Sequence, residues 1–126
     1  MSKQIIYTAE APAPIGPYSQ AVLVGGTLYV SGQIPLDAAT GELINENLTE
    51  ETHMVMKNLE AVLRAAGFGF SDVVKCTIFI RDMGAFGTIN EAYGQYFKEN
   101  PPARETVEVS RLPKDVNVEI SCIAVK

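Results

Sequence analysis

VVKCTIFIR, residues 73–81, decides the fold. Its side chains alternate: Val74, Cys76, Ile78 and Ile80 fall on one side, and Lys75, Thr77, Phe79 and Arg81 on the other. A period of two marks a β-strand with one buried face. Toward the N-terminus the period changes. From about Thr49, residues Val55, Leu59, Val62, Leu63 and Ala66 recur at helical spacing. Asn47 or Thr49 can cap that helix, and Gly67 can close it in the left-handed conformation. Toward the C-terminus a second helix is expected from about Gly84 to Lys98. Phe86, Ile89, Tyr93 and Phe97 form its inner stripe, and Asn100-Pro101-Pro102 ends it.

Further out, Ala21–Val24 and Thr27–Ser31 are short apolar runs separated by Gly25-Gly26, which reads as a β-hairpin. Residues 10–17 hold three prolines and form a loop or arm, and residues 32–48 read as loop. Two last strands, Thr106–Arg111 and Val116–Val125, are joined by a turn at Pro113, Lys114 and Asp115. The order is β-β-α-β-α-β-β over one domain, residues 1–126. This is an α+β chain whose helical connections imply parallel pairs in a mixed sheet, with both helices on one face. The last strand is apolar on both sides: Val118, Ile120, Cys122 and Ala124 on one, Ile123 and Val125 on the other. A symmetric homo-oligomer is the economical cover for the helix-free face.

Composition removes several function classes. The net charge is −5 with no basic run, which disfavours a nucleic-acid reader. His53 is the one histidine, placed early in the first helix as a surface or capping residue, so no Ser-His-Asp arrangement is expected. Ligands for a common His/Cys metal site are missing, as are a Walker loop and a dinucleotide fingerprint. No metal or cofactor is expected. Cys76 and Cys122 sit in apolar segments and read as buried free thiols rather than a disulfide. No apolar stretch is long enough to span a bilayer, and a signal peptide is not evident, so a cytoplasmic location is expected.

Some polar residues sit in awkward places. Arg104 follows Pro101-Pro102-Ala103 at the start of a strand. It is either a surface or ion-paired arginine or a planar fork of donors for a carboxylate. Glu119 lies inside VNVEISCIAV on a strand expected to be central. It either pairs with Arg104 or Lys75, faces solvent, or handles a water. Glu108 is its weaker rival. Tyr18, Ser19, Ser31 and Gly32 border the hairpin, either as turn residues or as part of a site where Gly32 would let a ligand approach the backbone closely. Asn90 sits near the inner stripe of the second helix, as a structural amide or a ligand contact.

Taken together, IGPYSQA at 15–21, YVSGQIP at 29–35, NLEAVLRAAG at 58–67, PPARETVEV at 101–109 and RLPKDVNVEISCIAV at 111–125 resemble the Rid, or YjgF, family over nearly the whole chain. The resemblance implies a chorismate-mutase-like fold and a homotrimer with a ligand cleft at each subunit interface. It also implies hydrolysis of 2-iminopropanoate and 2-iminobutanoate, the tautomers of enamines released by pyridoxal-phosphate dehydratases, to 2-keto acids and ammonia. Carried over residue by residue, Arg104 binds the substrate carboxylate and Glu119 handles the water. Tyr18, Ser31, Gly32 and Asn90 complete the substrate site. Thr106 stands where the family often has Cys, so a hydroxyl or backbone amide replaces a thiol. Two alternatives belong to other classes: an endoribonuclease or translation inhibitor, as some relatives are described, and a non-catalytic trimer that binds small carboxylates.

Overall fold

The computed structural model describes residues 2–126. Eight elements of regular structure follow in chain order. They are β1 (Gln4–Ile6), β2 (Ala21–Val24), β3 (Thr27–Gln33), α1 (Leu48–Ala65), β4 (Val73–Ile80), α2 (Phe86–Gly94), β5 (Ala103–Glu108) and β6 (Val118–Val125). The six strands form one sheet in the order β1-β2-β3-β6-β4-β5. All neighbours are antiparallel except β4 and β5, which run parallel because α2 connects them. Among the described residues no helix is long and apolar enough to cross a membrane.

The expected alternation explains why both helices pack on one face. Cys76, Ile78 and Ile80 of β4 and Val118, Ile120, Cys122 and Ala124 of β6 are all buried there. They meet Val55, Met56, Leu59, Val62 and Leu63 of α1 and Ile89 and Tyr93 of α2. Asn47 rather than Thr49 caps α1, its side chain accepting from the Glu50 amide at 2.9 Å. Gly67 closes that helix with φ 82°, and Gly25 and Gly26 turn the β2–β3 hairpin at φ 51° and 86°. Both cysteines are free and buried.

The structure corrects several details. The sheet begins one strand earlier than expected, since Gln4–Ile6 adds an edge strand to β2. The second helix is shorter than 84–98: a 3-10 turn at Met83–Ala85 leads into it, and it ends at Gly94. Phe97 lies beyond the helix yet still packs against the core. The fifth strand starts at Ala103 and stops at Glu108, so Arg104 lies within it. The two last strands are not neighbours, because β6 passes between β3 and β4. Val74 leaves the buried face: a bulge between Val73 and Lys75 turns Val73 inward and leaves Val74 exposed.

The helix-free face carries Tyr29, Ile123, Val125, Phe79 and Val107. Of these, Tyr29, Val125 and Val107 are largely exposed in the single chain. Lys75 and Glu105 form an ion pair on the same face, at 3.3 Å.

Candidate functional site

The sequence-predicted residues separate into two groups on opposite faces of the sheet. Arg104 registers with Cys76, and Cys76 with Cys122. Both cysteines point to the helices, so Arg104 does too. Glu119 registers with Phe79 and therefore points to the helix-free face. Within one chain these two residues do not form a common site.

The first group surrounds Glu119. A pocket of about 360 Å³ is lined by Ile15, Tyr18, Ser31, Gly32, Ile34, Pro113 and Glu119. Its floor comes from a bulge in β3 between Val30 and Gln33, opposite β6. That bulge places Gly32 directly under the Glu119 side chain. A Cβ on Gly32 would stand 2.8 Å from the Glu119 carboxyl carbon and 3.0 Å from its Cγ, so only glycine leaves the carboxylate room. Ser31 is fixed by its hydroxyl, which donates to the Ser19 carbonyl at 2.6 Å. The exposed Tyr18 ring bends back so that its hydroxyl accepts from the Ile15 amide at 3.3 Å.

Glu119 is half-buried, and among the described residues it has neither ion pair nor hydrogen bond within the chain. The pairings considered from sequence do not form: Lys75 goes to Glu105, and Arg104 is on the other face. Burial raises the Glu119 carboxyl above its ordinary value. The rival Glu108 is used elsewhere, accepting from the Met83 amide at 2.8 Å ahead of α2.

The second group surrounds Arg104. Its Nη1 donates to Asn90 Oδ1 at 2.6 Å. The guanidinium carbon lies 5.2 Å from the ring centroids of both Phe86 and Tyr93. Arg104 itself is exposed, and beyond the bond to Asn90 its guanidinium has no hydrogen-bond or ion-pair partner among the described residues. Thr106, two residues on and on the same side, is half-buried, with its hydroxyl enclosed and unpartnered. His53 is not a plain surface or capping residue: its Nδ1 lies 2.7 Å from the Tyr96 hydroxyl and ties α1 to the segment after α2.

Three supporting side chains escaped the sequence reading. Gln20, 1% exposed, accepts from the Thr8 amide and donates to the carbonyls of Thr8, Ala11 and Pro12. It thereby holds the proline-rich arm that carries Ile15 and Tyr18. Asn58 is fully buried and donates to the Ile34 and Leu36 carbonyls, anchoring the loop after β3. Glu51 is also fully buried, and its carboxylate accepts from the Asn117 amide at 2.6 Å and from Asn117 Nδ2 at 2.9 Å. That fixes the entry to β6 two residues before Glu119. The signal was available for Glu51, which sits one turn before Val55 on the apolar stripe of α1. A larger depression of about 530 Å³, lined by Phe70, Tyr96, Phe97 and Lys98 among others, contains none of the sequence-predicted site residues.

Comparison with known proteins agrees with this architecture. The sequence profile described as Endoribonuclease L-PSP matches residues 8–126. The human protein named 2-iminobutanoate/2-iminopropanoate deaminase is 47% identical over 124 residues, covering 98% of this chain and 90% of its own. A solved Rid-family protein from Yersinia pestis superposes with a TM-score of 0.94 at 46% identity, over 99% of this chain and all of that one. The Escherichia coli protein TdcF, solved with bound serine, superposes with a TM-score of 0.93 at 43% identity over 98% of each chain. With a profile spanning nearly its whole length and relatives at this identity, the chain belongs to the Endoribonuclease L-PSP family, also called the Rid or YjgF family.

Proposed function

We propose that the protein hydrolyses short 2-imino acids to 2-keto acids and ammonia, at sites completed by two copies of the chain in a homotrimer. One observation carries this reading. The Glu119 pocket holds a half-buried carboxylate with no cation, while the opposite face of the same sheet presents Arg104 with open donors. Each face has what the other lacks. The exposed apolar face bearing Tyr29, Val107 and Val125 supports association of copies. The deaminase name of the human relative and the serine bound to TdcF support a small amino-acid-derived carboxylate as ligand.

In this reading the Arg104 fork of one copy takes the substrate carboxylate through charge-assisted hydrogen bonds. The imine carbon then lies over Glu119 of the neighbouring copy. Glu119 accepts a proton from water as the water oxygen bonds to the carbon of the protonated imine and the C=N π bond moves to nitrogen, giving a neutral carbinolamine. The same carboxyl returns that proton to nitrogen and takes up the hydroxyl proton as the C–N bond breaks and the carbonyl forms, then passes it to the departing ammonia, which leaves as ammonium. A carboxyl raised by burial suits both steps, because it accepts and gives back a proton within one cycle. Tyr18 and Ile15 cover the pocket, and the enclosed Ser31–Gly32 backbone borders the reacting carbon. The imine is reactive by itself, so positioning supplies most of the acceleration. A ribonuclease reading fits less well, given a net charge of −5 and a lone histidine engaged with Tyr96.

The test is a coupled assay in which a pyridoxal-phosphate threonine dehydratase generates the imine in place. The protein should accelerate 2-oxobutanoate release. Arg104→Ala should lose at least about tenfold in kcat/KM, since a hydrogen bond to a charged group contributes about 1.5–3 kcal/mol. Parent-level turnover by an assembled Arg104→Ala protein removes the reading. Ligand binding without any acceleration would favour the non-catalytic carboxylate binder.

A further inference from the structure

We propose that Phe86, Tyr93 and Asn90 act on ligand only through Arg104, as positioning residues that orient its guanidinium before any ligand arrives. The proposal rests on the carboxylate-binding reading of Arg104 given above.

An arginine on an exposed edge strand would ordinarily sample many rotamers and lose that freedom on binding. Arg104 does not stand free. Its guanidinium carbon lies 5.2 Å from the centroids of Phe86 and of Tyr93, within the range of cation–π attraction. Asn90 Oδ1 accepts from Nη1 at 2.6 Å, which fixes rotation of the group about its own axis. The three residues occupy successive turns of α2, so the helix presents them together. Asn90 Oδ1 is therefore engaged by Arg104, which makes Asn90 an orienting group rather than a direct substrate contact.

The Tyr93 hydroxyl takes no part. It is buried, approaches the Cys76 thiol and forms no hydrogen bond of ordinary geometry. The ring, not the hydroxyl, is what Arg104 uses, so Tyr93→Phe serves as a conservative control.

The experiment is titration calorimetry with 2-oxobutanoate, a small 2-keto carboxylate that is not consumed. The proteins are the parent, Phe86→Leu, Tyr93→Phe, Arg104→Lys and the double variant Phe86→Leu/Arg104→Lys. Phe86 is only half-buried, so the leucine variant keeps the core. Phe86→Leu should weaken binding about fivefold, the upper scale of a lost cation–π contact at an exposed site. Tyr93→Phe should stay within about twofold. In the Arg104→Lys background, Phe86→Leu should add less than about twofold, because a residue acting through Arg104 has nothing left to orient. Additive losses, or parent affinity in Phe86→Leu, overturn the positioning role while leaving the site reading intact. Parent affinity in Arg104→Lys overturns the site reading itself, and this proposal with it.

Discussion

The Glu119 carboxyl group fills the space that a Cβ on Gly32 would occupy, at a bulge where β3 loses register with β6. Any side chain at position 32 displaces the carboxylate. Gly32→Ala should therefore leave secondary structure and assembly intact while lowering kcat/KM by at least about tenfold, since misplacing a reacting group costs rate steeply. Circular dichroism and the coupled assay check this. Full activity in Gly32→Ala would mean that the carboxylate's resting place is irrelevant to turnover.

Glu119 gives a second expectation, with a definite sign. Burial raises its folded-state pKa above the unfolded value. A group raised in this way contributes stability that is fully present below its unfolded pKa and is lost as pH rises through the folded one. At neutral pH the charged carboxylate thus weighs against the fold, and Glu119→Gln should melt at the same temperature as the parent or higher. Its turnover should fall at the same time. Thermal melts at pH 7 and pH 4 test the point, and a large loss of stability confined to pH 7 would contradict it.

The same group sets the acid limb of activity. Turnover should decline as pH falls through the Glu119 pKa, because a protonated carboxyl cannot take a proton from water. In the proposed assembly the guanidinium of a second copy would offset part of the rise that burial gives this carboxyl. Arg104→Ala should therefore shift the acid limb of its residual activity to higher pH than in the parent. An unshifted limb would place the two groups too far apart to interact.

Glu51 tests the scaffold rather than the chemistry. Its buried carboxylate is the acceptor for both Asn117 donors. Glu51→Ala leaves these unpaired and should cost about 2–3 kcal/mol of unfolding free energy, the scale of hydrogen bonds to a charged group. Urea denaturation measures it. Glu51→Gln, which keeps one acceptor, should lose less.

Gln20 tests the arm. Replacing it by Ala removes the side chain that joins Thr8, Ala11 and Pro12 to the sheet. Limited proteolysis should then cut first within residues 8–17, and KM should rise more than kcat falls, since Tyr18 and Ile15 only cover the pocket. Unchanged protease resistance would assign the arm's order to other contacts.

Much of this architecture was legible in the chain itself. The alternation in 73–81 and 116–125 identified the central strands, and the helical stripe identified α1, because long periodic segments bury a continuous face. What escaped has physical reasons. Gln4–Ile6 is a three-residue edge strand, too short to show a period. Val74 follows the alternation in sequence but is turned out by a bulge that depends on its partner strand. The second helix stops at Gly94 although its apolar residues continue to Phe97, which packs from a turn. For the candidate site, the chain names residues to inspect but not how they group in space. Glu119 shares a side with Ile123 and Val125 in the alternation of its own strand, whereas the face of Arg104 follows from its register with β4, which no local pattern encodes. Gln20 and Asn58 look like ordinary polar residues until the loops they hold are seen.

The cation and the carboxylate lie on opposite sides of one sheet, so in the proposed assembly defects in them fall at different junctions. Arg104→Ala and Glu119→Gln chains, each nearly inert alone, should regain part of the parent rate when unfolded together and refolded as a mixture. Wherever an intact arginine of one parentage meets an intact glutamate of the other, a whole site is reborn. On the proposed reading a single chain holds only half of each site, and dilution to the point of dissociation should silence the activity without altering a single residue.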